Sequence, residues 1–334
     1  MSVLQDCNLS DKGCAALASV LSSNCSSLRE LHLSDNELLD SGVEQLCVGL
    51  KSPHCKLEKL ELQDCNLSDK GCAALASVLS SNCSSLRELD LSFNELLDSG
   101  VEQLCVGLKS PHCKLEKLEL WSCNLSDKGC AALASVLSSN CSSLRELDLS
   151  RNELLDSGVE QLCVGLKSPH CKLENLGLRC CNLSDKGCAA LASVLSSNCS
   201  SLRELHLSDN ELLDSGVEQL CVGLKSPHCK LEKLELRCCN LSDKGCAALA
   251  SVLSSICSSL RELDLSNNEQ LDSGVEQLCV GLKSPHCKLE KLELPSWNLS
   301  DKSCAALVST LNSNCSSLRE LDLNGRTVTK GDTL

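Results

Sequence analysis

LEKLELQDCNLSDKGCAALASVLSSNCSS (Leu57–Ser85) and LRELDLSFNELLDSGVEQLCVGLKSPHCK (Leu86–Lys114) are consecutive 29-residue stretches, and their reading decides the fold. Both obey L-x-x-L-x-L-x-x-(N/C)-x-L. Eleven such starts run through the chain: Leu28, Leu57, Leu86, Leu115, Leu144, Leu173, Leu202, Leu231, Leu260, Leu289 and Leu318. The pair recurs every 58 residues, in a phase marked by Asn8, Asn66, Asn124, Asn182, Asn240 and Asn298. A partial strand at Val3-Leu4 precedes the first start.

Leu89 and Leu91 alternate with polar neighbours, the period of a strand with one buried face. Asn94, or Cys65 in the other half, sits where the chain leaves the strand; an Asn there can bond the turn backbone of the next repeat and form a ladder. A helix follows. Val101, Leu104, Cys105 and Leu108 lie at i, i+3, i+4 and i+7, and Cys72, Leu75, Ala76 and Leu79 form the matching stripe. Ser99-Gly100-Val101-Glu102 reads as a capping box, Asp69 puts negative charge near the other helix start, and Ser110-Pro111 stops the second helix. One such coil cannot bury its leucines alone, so the coils must stack. Each inward Leu contributes about 2 kcal/mol of burial. The expectation is an α/β solenoid over residues 1–334 as one domain: a right-handed horseshoe with an inner parallel sheet and outer helices.

Composition agrees. Of 334 residues 42% are hydrophobic, so a core is available, yet the aromatics are Phe93, Trp121 and Trp297 alone, leaving Leu, Val, Ala and Cys to build it. The formal charge of −14 speaks against nucleic acid and anionic membrane and for a basic protein surface. The 29 cysteines recur at repeat-locked positions as small hydrophobes would, and no secretory segment or membrane span is read. Reduced thiols in the cytosol are the expectation.

CNLSDKGCAALASVL (Cys65–Leu79) and LDLSFNELLDSGVEQLCVGLKSPHCKLE (Leu89–Glu116) identify the chain as a leucine-rich-repeat protein and resemble the alternating repeats of ribonuclease inhibitor. The same repeats occur in the nucleotide-binding leucine-rich-repeat (NLR) receptors of innate immunity. The resemblance spans essentially the whole chain and implies a cytosolic, reduced-cysteine horseshoe that recognises proteins. No G-x-x-x-x-G-K-S/T phosphate loop is present, so the nucleotide-binding domain of those receptors is not in the sequence. Ribonuclease inhibitors contact their targets partly through C-terminal aromatic residues, tyrosines among them; this chain has no tyrosine. Recognition of NLR type therefore comes first, and inhibition of a basic ribonuclease second. Met1 begins inside a strand, and residues 318–334 form a truncated last repeat that ends in the polar tail Asn324–Leu334. Both ends read as those of a fragment of, or a part associated with, a larger receptor.

Where near-identical repeats disagree, the differences point to the site. Counting each first Leu as position one, positions three, five, seven and eight face outward from the sheet. Position five reads His32, Glu61, Asp90, Glu119, Asp148, Gly177, His206, Glu235, Asp264, Glu293 and Asp322, eight of eleven acidic. Strands lie ~4.8 Å apart, and like charges at that spacing repel by roughly 0.8 kcal/mol in water. Position three (Glu30, Lys59, Glu88, Lys117, Glu146, Asn175) offsets this in part; a basic partner would relieve the rest. The alternative is a solvated, solubilising row of acids. Positions seven and eight vary most, with Phe93, Trp121, Arg151 and Arg179 on four successive coils, then Cys180, Arg237 and Cys238. Interface hot spots are rich in Trp and Arg; neutral drift at unconstrained surface positions is the competing account. The candidate partner-binding residues are Phe93, Trp121, Asp90, Glu119, Asp148, Arg151, Arg179, Cys180, Glu235, Arg237 and Asp264.

Catalysis finds no support: there is no nucleophile elbow, paired-carboxylate site or histidine base with a fixed neighbour. No cofactor or metal is expected. The five Pro-His-Cys triplets, as at Pro53-His54-Cys55, recur every second coil, ~10 Å apart by strand spacing, too far for one zinc ion. The vicinal pairs Cys180-Cys181 and Cys238-Cys239 follow Arg179 and Arg237, which could lower a thiol pKa; incidental cysteines are the plainer reading. A third class of function is a scaffold that works through its helical outer surface.

Overall fold

The computed structural model describes residues 2–268, 272–294, 300–313, 316–323 and 326–330. They form two compact units, Met1–Leu154 with Val164–Asn175, and Leu155–Cys163 with Leu176–Leu334. The first carries β1 (Ser2–Val3), α1 (Asp11–Ser22), β2 (Glu30–His32), α2 (Leu39–Leu50), β3 (Lys59–Glu61), α3 (Asp69–Leu79), β4 (Glu88–Asp90), α4 (Leu97–Leu108), β5 (Lys117–Glu119), α5 (Asp127–Leu137) and β6 (Glu146–Asp148). The elements α6 (Leu155–Leu166) and β7 (Asn175–Gly177) follow. The second unit carries α7 (Asp185–Leu195), β8 (Glu204–His206), α8 (Leu213–Leu224), β9 (Lys233–Glu235), α9 (Asp243–Leu253), β10 (Glu262–Asp264), α10 (Asp272–Leu282), β11 (Lys291–Glu293), α11 (Asp301–Leu311), β12 (Glu320–Leu323) and β13 (Arg326–Thr329).

Within the first unit β1 to β6 pair in parallel, always with the residue 29 positions on: Glu88 with Lys117, Leu89 with Leu118, Asp90 with Glu119. Within the second, β8 to β12 do the same. Successive helices pack side by side in each unit. The period-two leucines and both helical stripes are buried, as the sequence demands. This is the strand–turn–helix solenoid read from the repeat. Buried Cys65, Cys72, Cys105 and Cys123 fill it as hydrophobes. Burial pushes each of these thiols up to about 12, far from the thiolate that reactivity requires.

Three local expectations change. Ser99 does not cap its helix: α4 begins two residues earlier, at Leu97, with no side-chain cap. The acid beside it works across the coils instead. Asp98 accepts hydrogen bonds from Ser126 N and Gly129 N (both 2.9 Å) at the start of α5, and Asp40 does the same for Ser68 and Gly71 at α3. A carboxylate there satisfies orphan N–H groups and meets the positive end of the helix. It also explains the glycine, since a Cβ on Gly71 would fall 2.7 Å from Asp40 Oδ1.

The Asn ladder runs the other way from expectation, to the preceding coil. Asn94 Oδ1 accepts from Cys65 N and Leu67 N (both 3.0 Å), and its Nδ2 donates to Leu62 O (2.8 Å) and to its own Leu91 O. Asn36, Asn152, Asn210 and Asn268 repeat the pattern. The polar tail also contains a strand: β13 pairs antiparallel with β12, Leu321 opposite Val328, and occupies an otherwise open sheet edge.

Candidate functional site

The two coil types differ at position seven. In coils that carry the ladder Asn, the position-seven serine is buried and position eight is exposed; Ser92 and Phe93 are one such pair. Ser92 Oγ accepts from Trp121 N (3.2 Å), so the serine holds the neighbouring backbone. Ser150, Ser208 and Ser266 are likewise buried, correcting the expectation that position seven faces outward throughout. In the cysteine coils position seven is not buried and position eight is again open: Arg179, Cys180 and Arg237 are all exposed.

In the first unit this alternation brings three candidates together. Phe93, Trp121 and Arg151 come from successive coils. The Phe93 and Trp121 rings lie 5.2 Å apart, tilted by 51°. Arg151 Cζ stands 5.1 Å from the Trp121 ring centroid. The indole is thus held between an aromatic ring and a guanidinium, contacts worth about 0.5–1.5 kcal/mol each. Phe93 stays 42% exposed, so the ring pair does not close over itself.

The acids nearby are less free than expected. Asp90 is buried, not displayed, because it accepts from Ser92 N (2.9 Å) and from Gln63 Nε2. Asp148 accepts from Ser150 N (2.8 Å) in the same way. At position five, therefore, Asp shapes the turn. Glu119 meets Asp90 directly across the strands. Burial first, then the Asp90 carboxylate, push Glu119 up to about 7, against the pull of Lys117 Nζ at 3.1 Å.

That shift carries a sign. The folded chain keeps a proton on Glu119 that the unfolded chain releases above about pH 4.5. Stability therefore falls as pH rises from about 4.5 to 7 and stays lower beyond. Glu119→Gln removes this loss. Urea midpoints at pH 5 and pH 8 should show the wild type losing about 1–2 kcal/mol more than the variant across that interval, solvent screening having trimmed the full conversion. Parallel curves would mean that Glu119 holds no extra proton in the folded chain.

In the second unit Arg179 is paired within its own chain. Position five of its own coil is Gly177 and of the next His206, so the nearest carboxylate is Glu235, two coils on. Arg179 Nη2 donates to Glu235 Oε2. His206 Nδ1 lies 2.9 Å from the same oxygen, and Lys233 Nζ 3.0 Å from Oε1. Glu235 is buried rather than displayed, since His206, Lys233 and Arg179 enclose it. Burial alone would raise it, but His206, Lys233 and Arg179 hold it at about 2. Asp264 accepts from Ser266 N (2.8 Å), yet burial still raises it. Arg237 and Cys180 are exposed, Cys238 is half-buried, and Cys181 and Cys239 are buried.

His206 and Lys233 escaped the sequence reading, although the signal was present. His32, Lys59 and Glu61 form the same triad in the first unit, so a position-five His followed by a Lys-x-Glu whose Glu lies 29 residues on marks it. Pro295, Ser296, Trp297 and Asn298 lie outside the described residues.

The described helices include none long and apolar enough to cross a membrane. The leucine-rich-repeat pattern matches nine segments, residues 24–47, 54–76, 82–105, 112–134, 140–163, 170–192, 198–221, 228–250 and 257–279. The sequence matches none of the curated proteins compared. Among solved structures, an internalin (InlF) of Listeria monocytogenes is 20% identical with a TM-score of 0.51, covering 92% of this chain and 76% of its own. The yeast Rad7–Elc1 complex gives 20% identity and 0.46 over 95% and 84%, and the TLR13–ssRNA13 complex 19% and 0.49 over 92% and 41%.

Proposed function

The chain belongs to the leucine-rich-repeat family, and from that premise we propose that it is a non-catalytic protein-recognition module of the NLR-receptor type. The 29-residue phase runs unbroken through Leu144, Leu173 and Leu202, which favours one continuous repeat domain. The partner binds the open face of the sheet, and its anchor is the Phe93–Trp121–Arg151 cluster. The observation that carries this is the indole held between a ring and a guanidinium on the sheet face. A formal charge of −14 favours a basic protein over nucleic acid or anionic membrane. Thiols raised to about 12 inside the coils suit a reducing compartment, in keeping with a cytosolic protein that is part of, or associated with, a larger receptor.

Capture of partners on the immobilised chain under reducing conditions tests this reading. Trp121→Ala should weaken the captured complex about thirtyfold, the loss of one hot-spot side chain. Unchanged affinity would assign the cluster to drift. The same acidic balance supports a second reading, inhibition of a basic ribonuclease. Stoichiometric loss of nuclease activity on titration would promote it.

A further inference from the structure

Phe93 occupies a backbone position that suits other residues. In ladder-Asn coils position eight is left-handed: Asp35 (φ 59°), Phe93 (59°), Arg151 (56°), Asp209 (59°) and Asn267 (54°). Asn and Asp tolerate that region, because their short side chains bond locally, whereas a bulky ring is strained there. Two of its equivalents are Asp and one is Asn. The chain's single phenylalanine thus stands where its equivalents are Asp, Asn or Arg, and it remains exposed.

The ring borders a groove of about 460 Å³ between two coils of the first unit. Leu97, which is 52% exposed, lines the groove with it, as do Asp64 and Glu95. Neither acid is in an ion pair among the described residues. Exposed leucines recur at Leu39, Leu155 and Leu213; among the described residues, Leu97 is the one that shares its groove with an aromatic ring. Because Phe93 also touches Trp121, the groove continues from the sheet-face cluster.

We propose that this groove receives an extended segment of the protein partner in which one bulky apolar side chain is flanked by lysine or arginine. The apolar side chain sits against Phe93 and Leu97, and the cations meet Asp64 and Glu95. The proposal rests on the sheet-face reading for the existence of a partner and adds the chemistry of what that partner presents.

The test is a dodecapeptide library displayed on phage and selected on the immobilised full chain under reducing conditions. Enriched peptides should pair one Leu, Phe or Trp with flanking Lys or Arg, and bind Phe93→Asn about tenfold more weakly. Because Asn suits the left-handed backbone, that variant should melt no lower than wild type. Enrichment of acidic peptides, no enrichment, equal binding to Phe93→Asn, or a lower Tm each overturns the groove. Trp121→Ala separates the two claims. Peptides that lose affinity for it while keeping affinity for Phe93→Asn leave the sheet face standing and the groove refuted; the reverse pattern supports the groove and removes the sheet-face anchor.

Discussion

Asn94→Ala is expected to lower stability by about 4 kcal/mol, the largest effect of any single polar substitution considered. The side chain is buried and bonds both its own coil and the one before. Truncation strands Cys65 N, Leu67 N and Leu62 O inside a stack that water does not enter. Each buried group left without a partner costs about 1–3 kcal/mol. The damage should be local, since a repeat array is stabilised by intrinsic and nearest-neighbour terms. Hydrogen exchange then reads it directly: the Cys65 and Leu67 amides should lose protection before amides three coils away. Asn66→Ala is the control. Asn66 is exposed and serves through its left-handed backbone (φ 55°), so its replacement should cost only about 1 kcal/mol, and Asn66→Gly less still. Equal losses at the two positions would show that Asn94 matters as a turn former and not as a link between coils.

The contrast between these two asparagines also shows where sequence reading reaches its limit here. The coil, its strand, its helix and its buried stripes follow from a period that repeats eleven times, and burial is a one-body property that a pattern reveals. Hydrogen-bond direction is a two-body property. Asn94 could bond forward or backward, and only the stagger of adjacent coils chooses backward. Asp98 lies in the first turn of its own helix; the start it serves lies 28 residues on, at Ser126. The same limit governs the candidate site. Phe93, Trp121 and Arg151 were legible because they break a repeat, and their contact needed only the strand spacing. Asp90 and Glu235 were read as displayed because position five points away from the core. Their neighbours cover them, and no single-coil argument contains those neighbours. Arg179 was read as reaching for a partner, yet Gly177 and His206 leave Glu235 as its nearest carboxylate.

Glu235→Gln, the second large effect, follows from that enclosure. The substitution keeps shape and removes charge, leaving Arg179, Lys233 and His206 around a neutral amide. Breaking a buried ion pair by deleting one partner costs about 3–5 kcal/mol. Arg179 and Lys233 remain 45% and 33% exposed, so solvent takes part of this, and about 2–3 kcal/mol is expected at pH 7. The pH dependence identifies the cause. The folded carboxyl sits at about 2, below its unfolded value near 4.5, so its contribution is complete above pH 4.5 and disappears as pH falls from 4.5 towards 2. Wild type and Glu235→Gln should therefore differ at pH 7 and converge by pH 2. Arg179→Ala alone should cost about 0.5–1 kcal/mol, as befits a half-exposed cation. In the double variant that cost should vanish, because Arg179 then has no carboxylate to lose. Additive losses, or a gap between wild type and Glu235→Gln that persists at pH 2, would mean that Glu235 is held by packing and that its charge does not fix Arg179.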